Sequence, residues 1–358
     1  MLDAEVVPMT RESTTPATGE ITHTGGAAST YDVVVVGGGA AGLSGALTLA
    51  RARRSVLVID AGRPRNAPAA HMHGYLSRDG EDPATFLAVG RGEVTAYGGR
   101  ITHGAVESAV PLAGGGFEVR LADGRDVGAR RLLVTTGLLD ELPAVPGVAE
   151  RWGKDVLHCP YCHGWEVRDQ AVGILATSPM SLHHAQLWRQ WTDDVTLFLH
   201  EGPAPDAVTR AALDARGVRL VEGPVEALDV QDGVLSGVRL ASGEVVPCAA
   251  LVVAPRFTGR SALLESLGIE TVEQEVDGTV VGTYVPSDPM GATSVPGVRV
   301  AGNVTHLMAQ VVAAAAAGVQ AAAAINGDLI AEDVREAVAR AATGERADDG
   351  PQAATGKG

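Results

Sequence analysis

The sequence predicts an α/β protein made of two Rossmann-like (ββα) dinucleotide-binding domains. Three observations carry this. A strand, a glycine turn, a helix and a second strand follow one another over residues 31–60. A further strand–helix–strand stretch covers 171–199, and a strand runs into a turn and an alanine-rich helix after Gly297. A length of 358 residues suits two domains of ordinary size. A hydrophobic fraction of 46% is ample for two cores, and 4% aromatic content with abundant Ala, Gly and Val suits tight α/β packing.

The first unit is the most explicit. Tyr31 to Val36 (YDVVVV) is a β-rich run, Gly37-Gly38-Gly39-Ala40-Ala41-Gly42 is the turn, LSGALTLARAR has helical spacing, and Ser55 to Ile59 is a strand closed by Asp60. In such a turn Gly37 makes the tight bend, Gly39 lets the backbone approach a pyrophosphate, and Gly42 lets helix and strand pack closely. The helix start offers free N–H groups to phosphate, and Asp60 is placed to accept ribose hydroxyls.

Downstream, Gly116 to Val127 alternates around Asp123-Gly124 as a hairpin does. Arg131 to Gly137 (RLLVTTG) is a buried strand ending in a small-residue turn. Ala171 to Ala176 opens the second unit, with a helix near Ser181 to Trp191 and strands at Val195 to Leu199 and Ala249 to Ala254. Leu307 to Ile325 is too weakly apolar to enter a membrane and reads as a buried helix. Residues 1–30 and 339–358 read as disordered tails, the first without an export pattern, so a cytoplasmic location is expected. A net charge of −15 with no basic stripe excludes a nucleic-acid partner.

Of three cysteines, two form Cys159-Pro160-Tyr161-Cys162-His163. The pattern alone fits a redox disulfide, half a zinc site or a c-type haem attachment signal. Zinc needs two further ligands, and haem attachment needs export. Cys248 reads as a buried apolar residue. No metal is expected. A cycling disulfide suits a reducing compartment better than a structural one.

Taken together, the glycine turn, the VTTG turn, the Cys-x-x-Cys and SVPGVRVAGNVTHLMAQVVAAAAAG resemble the low-molecular-weight thioredoxin reductase family over residues 31 to 335. The resemblance implies an FAD domain discontinuous in sequence (31–150 and 257–338), interrupted by a pyridine-nucleotide-type domain (151–256) that carries the cysteines. It implies FAD contacts from Gly37, Gly39, Ala40, Ala41, Gly42, Asp60, Ala61, Asn66, His73, Val106, Thr136, Gly137, Gly302, Asn303, Gln310 and Val311, with the last helix aimed at the flavin. It also implies a homodimer.

Three departures from the family pattern stand out. Ala176 and Ser178 occupy positions where the second glycine fingerprint has glycine, and Pro179 removes a donor from the helix start. The strand end Phe198-Leu199-His200-Glu201 lacks the basic cluster for a 2′-phosphate. These two argue against NADPH and leave NADH open. Finally, His163 follows the second cysteine where the family has Asp. CPYCHGWE resembles a branch of oxidases that close dithiols in natural products such as gliotoxin and holomycin, passing electrons to oxygen; Asn303 and Arg65-Asn66 with His73-Gly74-Tyr75 fit it too.

The expected activity is therefore oxidation of a small-molecule or protein dithiol through Cys159 and Cys162, with His163 as acid–base. A cationic His163 would lower a thiol from about 8.5 to about 6.5, raising its thiolate fraction at pH 7 from about 3% to about 75%. The competing readings are an NAD(P)H-dependent disulfide reductase and a non-catalytic flavin-binding sensor. His306, just before the final helix, is a candidate for substrate deprotonation or for loop capping. His158 is expected to shape its loop, and His183-His184 to be solvated.

Overall fold

The computed structural model describes residues 29–343. Of the expected N-terminal tail, 1–28 lie outside the described residues, and Thr30 already begins a strand. The valine-rich runs are buried on both faces, which makes them central strands of a parallel sheet. Thr30–Val36 pairs in parallel with Val56–Asp60 and with Asp126–Val134. Arg100–His103 extends the sheet on one side, and the expected hairpin, Phe117–Leu121 with Asp126–Val134, leads to Val106–Pro111 on the other. A seventh strand, Val298–Val300, arrives from far along the chain and pairs with Asp126–Val134. The first domain is thus assembled from two pieces of sequence.

The intervening piece forms a five-stranded parallel sheet in the order Arg219–Val221, Val195–Phe198, Val172–Leu175, Ala250–Val252, Val156–Leu157. An antiparallel meander, Val225–Gln231, Val234–Leu240 and Val245–Pro247, shares its core. The two chain crossings between the domains, Leu138–Glu141 and Arg256–Gly259, pair antiparallel and are widened by Val272–Val276 and Thr279–Tyr284 into one sheet.

The glycine-turn helix, Ala40–Arg51, lies against the terminal helix, Val311–Thr343. They come so close that a Cβ on Gly318 would sit 2.0 Å from the Ala41 carbonyl oxygen. Small residues here are a condition of the crossing.

The terminal helix departs from expectation in three ways. It begins at Val311, it runs past the expected domain end at 338 to Thr343, and it buries one face only. Ala314, Ala315, Gly318, Ala321, Ala322, Ile325 and Leu329 face the core, while Val312, Val319, Ile330, Val334 and Val338 are exposed. Among the described residues it is the one helix long and apolar enough to cross a membrane. Its ion pairs place it in the folded domain instead. Asp328 meets Arg299, Glu332 meets Arg130 and Arg131, and Asp333 meets Arg54 and Arg130.

Gly318→Val would drive the two helices apart. We expect a loss of roughly 2–3 kcal/mol, read as a Tm lower by about 5 °C or more in a thermal melt.

Candidate active site

A cavity of about 680 Å³ opens between the two domains, within the size range of small-molecule sites. Cys159, Cys162, His163 and every expected cofactor contact except Gly42 line it. Gly37 takes φ +107°, with its N–H donating to the Ile59 carbonyl at 2.8 Å, so the turn needs glycine there. A Cβ at Gly39 would meet nothing within 4 Å; this is the open cradle that a side chain would fill. Gly42 serves the turn itself, because a Cβ there would lie 1.9 Å from the Gly37 oxygen. The Asp60 carboxylate abuts Gly38. An open glycine cradle, a helix start and a carboxylate at the strand end together fit an FAD-type dinucleotide.

On the far wall, the Asn303 amide donates to the carbonyls of His306, Leu307 and Ala309 at 3.1, 3.3 and 2.9 Å. That clamp shapes the loop presenting Gln310 and the start of the terminal helix. His306 is exposed and does not line the cavity, and the loop uses its backbone oxygen. The sequence reading missed the role of Arg65. Its guanidinium grips Asp140 through two bonds of 2.8 and 2.6 Å and lies 5.2 Å over the Phe257 ring, beside the cavity. The partner Asp140 is 75 positions away, so no local motif could reveal the pair.

The cysteines sit on a single helical turn, Pro160–His163. Cys159 is the residue before it, in extended conformation, and Pro160 suits the first helical position. The two sulfurs are half-buried and 2.6 Å apart. The Cys162 thiol donates to the Cys159 sulfur, and this bond is the main influence that brings the Cys159 pKa down to about 7 against the opposing effect of burial. Cys162 is pushed up by the same bond and by burial, which the nearby Arg65 charge only partly offsets. In the reduced protein Cys159 carries the charge and Cys162 keeps its proton. About half of Cys159 is then thiolate at pH 7, against about 3% for an ordinary thiol.

His163 corrects the expected source of that acidity. Burial holds it below the ordinary histidine value, with Glu166 opposing and His73 adding to the effect. A neutral ring can accept a proton, but it is not the cation expected to stabilise a thiolate. The hydrogen bond to Cys159 does that instead. His158 bonds the Val253 carbonyl through Nδ1 at 3.2 Å and packs against Phe257 and His184, a shaping role. Of the two adjacent histidines only His183 is exposed. His184 is buried under the cysteine loop and held down to about 4 by burial.

The second fingerprint closes on itself. The Ala176 N–H donates to the Phe198 carbonyl at 2.9 Å, and the Thr177 N–H donates to Ser181 Oγ at 3.3 Å. Ala176 is fully buried, and Gly202 approaches it so closely that a Cβ there would lie 2.6 Å from the Ala176 Cβ. At the neighbouring strand end, His200 accepts from the Val225 N–H at 3.0 Å.

Two nucleotide-type folds with a dithiol on the wall of a dinucleotide-sized cavity define a thioredoxin reductase-like flavoprotein oxidoreductase. The chain belongs to the pyridine nucleotide-disulphide oxidoreductase family, an FAD-dependent family whose pattern matches residues 31–318. It is 33% identical to thioredoxin reductase tcpT of Claviceps purpurea over 76% of this chain and 86% of that one. It is 30% identical to thioredoxin reductase sirT of Leptosphaeria maculans over 86% and 96%. Among solved structures, HlmI shares 49% identity with a TM-score of 0.81, covering 91% of this chain and 99% of HlmI. An oxidoreductase from Agrobacterium tumefaciens shares 35% identity with a TM-score of 0.78, over 84% and 99%.

Alkylation by iodoacetamide tests the division of charge between the cysteines. Cys248 is buried with its thiol pushed up to about 12, so it does not compete. In the reduced protein the rate should rise with a midpoint near 7 for Cys159. Cys162→Ala removes the principal donor and should move that midpoint up by about one pH unit or more.

Proposed function

We propose that the protein is an FAD-dependent dithiol oxidase, closing a small-molecule or peptide dithiol through Cys159 and Cys162 with oxygen as final electron acceptor. The observation that carries this reading is the turn at Ala176–Ser181, where Ala176 and Ser178 stand in place of glycine, Pro179 has no N–H to offer, and Ser181 Oγ holds the Thr177 N–H at 3.3 Å. The glycine turn facing the cysteines has an open cradle at Gly39 instead. FAD, when bound, would supply two-electron exchange between the cysteine pair and oxygen. Gly39 and the helix start would hold its pyrophosphate, Asp60 its ribose, and Thr136, Gly137, Asn303 and the start of the terminal helix the ring end.

The chain's own residues then divide the work. Substrate thiolate, its proton taken by His163, attacks the Cys159 sulfur, and the Cys159–Cys162 bond breaks with its electron pair going to Cys162. Cys162, the more basic sulfur, takes the proton back from His163. The second substrate thiol, its proton passing to the freed His163, displaces Cys159 from the mixed disulfide. Cys159 leaves as thiolate, which donation from the Cys162 thiol favours.

A second reading, an NAD(P)H-dependent disulfide reductase, is favoured by the relatives named thioredoxin reductases. Anaerobic mixing separates the two. Dithiothreitol should bleach the flavin absorbance, admitting air should restore it with peroxide released, and NADPH and NADH should act slowly or not at all. Fast bleaching by NADPH would overturn the oxidase reading. Cys162→Ser should retain FAD and lose bleaching by dithiol.

We also propose a homodimer formed through the outer face of the terminal helix. Val312, Ala316, Val319, Ala323, Ile330, Val334 and Val338 make an exposed uncharged seam at the spacing that helix pairs use. Light scattering should give twice the chain mass, and Val319→Glu with Ile330→Glu should give a folded monomer.

A further inference from the structure

A second pocket, of about 310 Å³, shares no lining residue with the large cavity. It lies at the start of the Val298–Val300 strand, whereas the large cavity takes Gly302 and Asn303 from beyond that strand's far end. Three arginines line it, each carried by a different element. Arg131 belongs to the Asp126–Val134 strand, Arg299 to the Val298–Val300 strand and Arg335 to the terminal helix. One acid, Asp328, lines it with them. On a chain of net charge −15, a pocket with that balance is an exception to the general character of the molecule.

The neighbouring carboxylates do not use up these donors. Arg299 donates to Asp328 at 3.2 Å and to the Met290 carbonyl at 3.0 Å, and its Nε is left buried with no hydrogen-bond partner. Arg131 donates to Glu332 at 2.5 Å, but Arg130 shares that carboxylate at 2.8 Å. Arg335 is exposed. Its neighbours four positions away on the helix are Ala331 and Ala339, and Glu332, three positions away, is taken by the two other arginines. A buried guanidinium N–H without an acceptor is costly, so its presence on the wall of a pocket points to an acceptor from outside the chain.

We propose that this pocket binds a phosphate group, with Arg131, Arg299 and Arg335 as its ligands. Three planar forks carried by three elements suit a tetrahedral dianion, whose oxygens point in different directions. A flat carboxylate can be satisfied by one guanidinium alone. Val295, Pro296 and Ala331 add apolar wall beside the arginines, where the organic part of a phosphorylated molecule would lie. Gly297, at φ +86°, leaves space for the Arg131 side chain; a Cβ there would lie 3.3 Å from its Cδ. The site is independent of the dithiol reading, and binding alone tests it.

The test is isothermal titration calorimetry on the FAD-loaded protein at constant ionic strength set with chloride, with inorganic phosphate, glycerol 3-phosphate and succinate as probes. Both phosphates should bind, at least about tenfold more tightly than succinate. Tighter binding of glycerol 3-phosphate assigns the apolar wall to an organic part, and tighter binding of inorganic phosphate assigns the site to the free ion. Arg335→Ala removes an exposed side chain and should weaken phosphate binding about tenfold. Ala331→Glu places a carboxylate among the arginines and should abolish phosphate binding while raising the Tm. No phosphate binding by the wild type, succinate binding as tightly as phosphate, or unchanged affinity in either variant overturns the proposal. If Ala331→Glu does not fold, Arg335→Ala decides alone.

Discussion

The site depends on one cavity being walled by two domains, with Cys159 and Cys162 contributed by one and Gln310 by the other. Their common lining brings the dithiol to the wall of the dinucleotide cavity. Each support of that contact between domains is remote from it in sequence. Asn303 clamps the loop that ends at Gln310. The terminal helix that follows can lie where it does because Gly318 lets it touch the Ala41 carbonyl. The two crossings between domains run side by side as paired strands, which fixes where the cysteine segment emerges.

Acidity at the dithiol comes from a hydrogen bond more than from neighbouring cations. Three histidines surround the cysteine turn, His158, His163 and His184, and burial holds all three below their ordinary range. Neutral imidazoles cannot pull a thiol down by charge. A thiol donating to the other sulfur can, and it makes the pair unequal: Cys159 a leaving group, Cys162 a proton acceptor.

Much of this was legible in the chain. The valine runs, the glycine turn and Asp60 are local features whose meaning does not depend on distant residues, and they form the sheet and cradle they predict. The cysteine turn likewise announces itself. What sequence could not show lies between segments. Arg65 and Asp140, and Asn303 and its loop, are pairs formed by the fold. The charge state of His163 was misread for the same reason: burial is a property of the assembled wall, and the letter His says nothing of it. The terminal helix was placed on the inside because alanine is compatible with either environment, and its exposed valines mark a second face.

The Ser181 hydroxyl has a consequence for redesign. It occupies the backbone donor of Thr177 and itself donates to the Leu175 carbonyl at 3.3 Å, fastening the turn from both sides. Glycine at 176 and 178 would therefore leave the loop still tied to its own helix. On the oxidase reading proposed above, an engineer seeking a nicotinamide site would have to cut that knot at 181 as well.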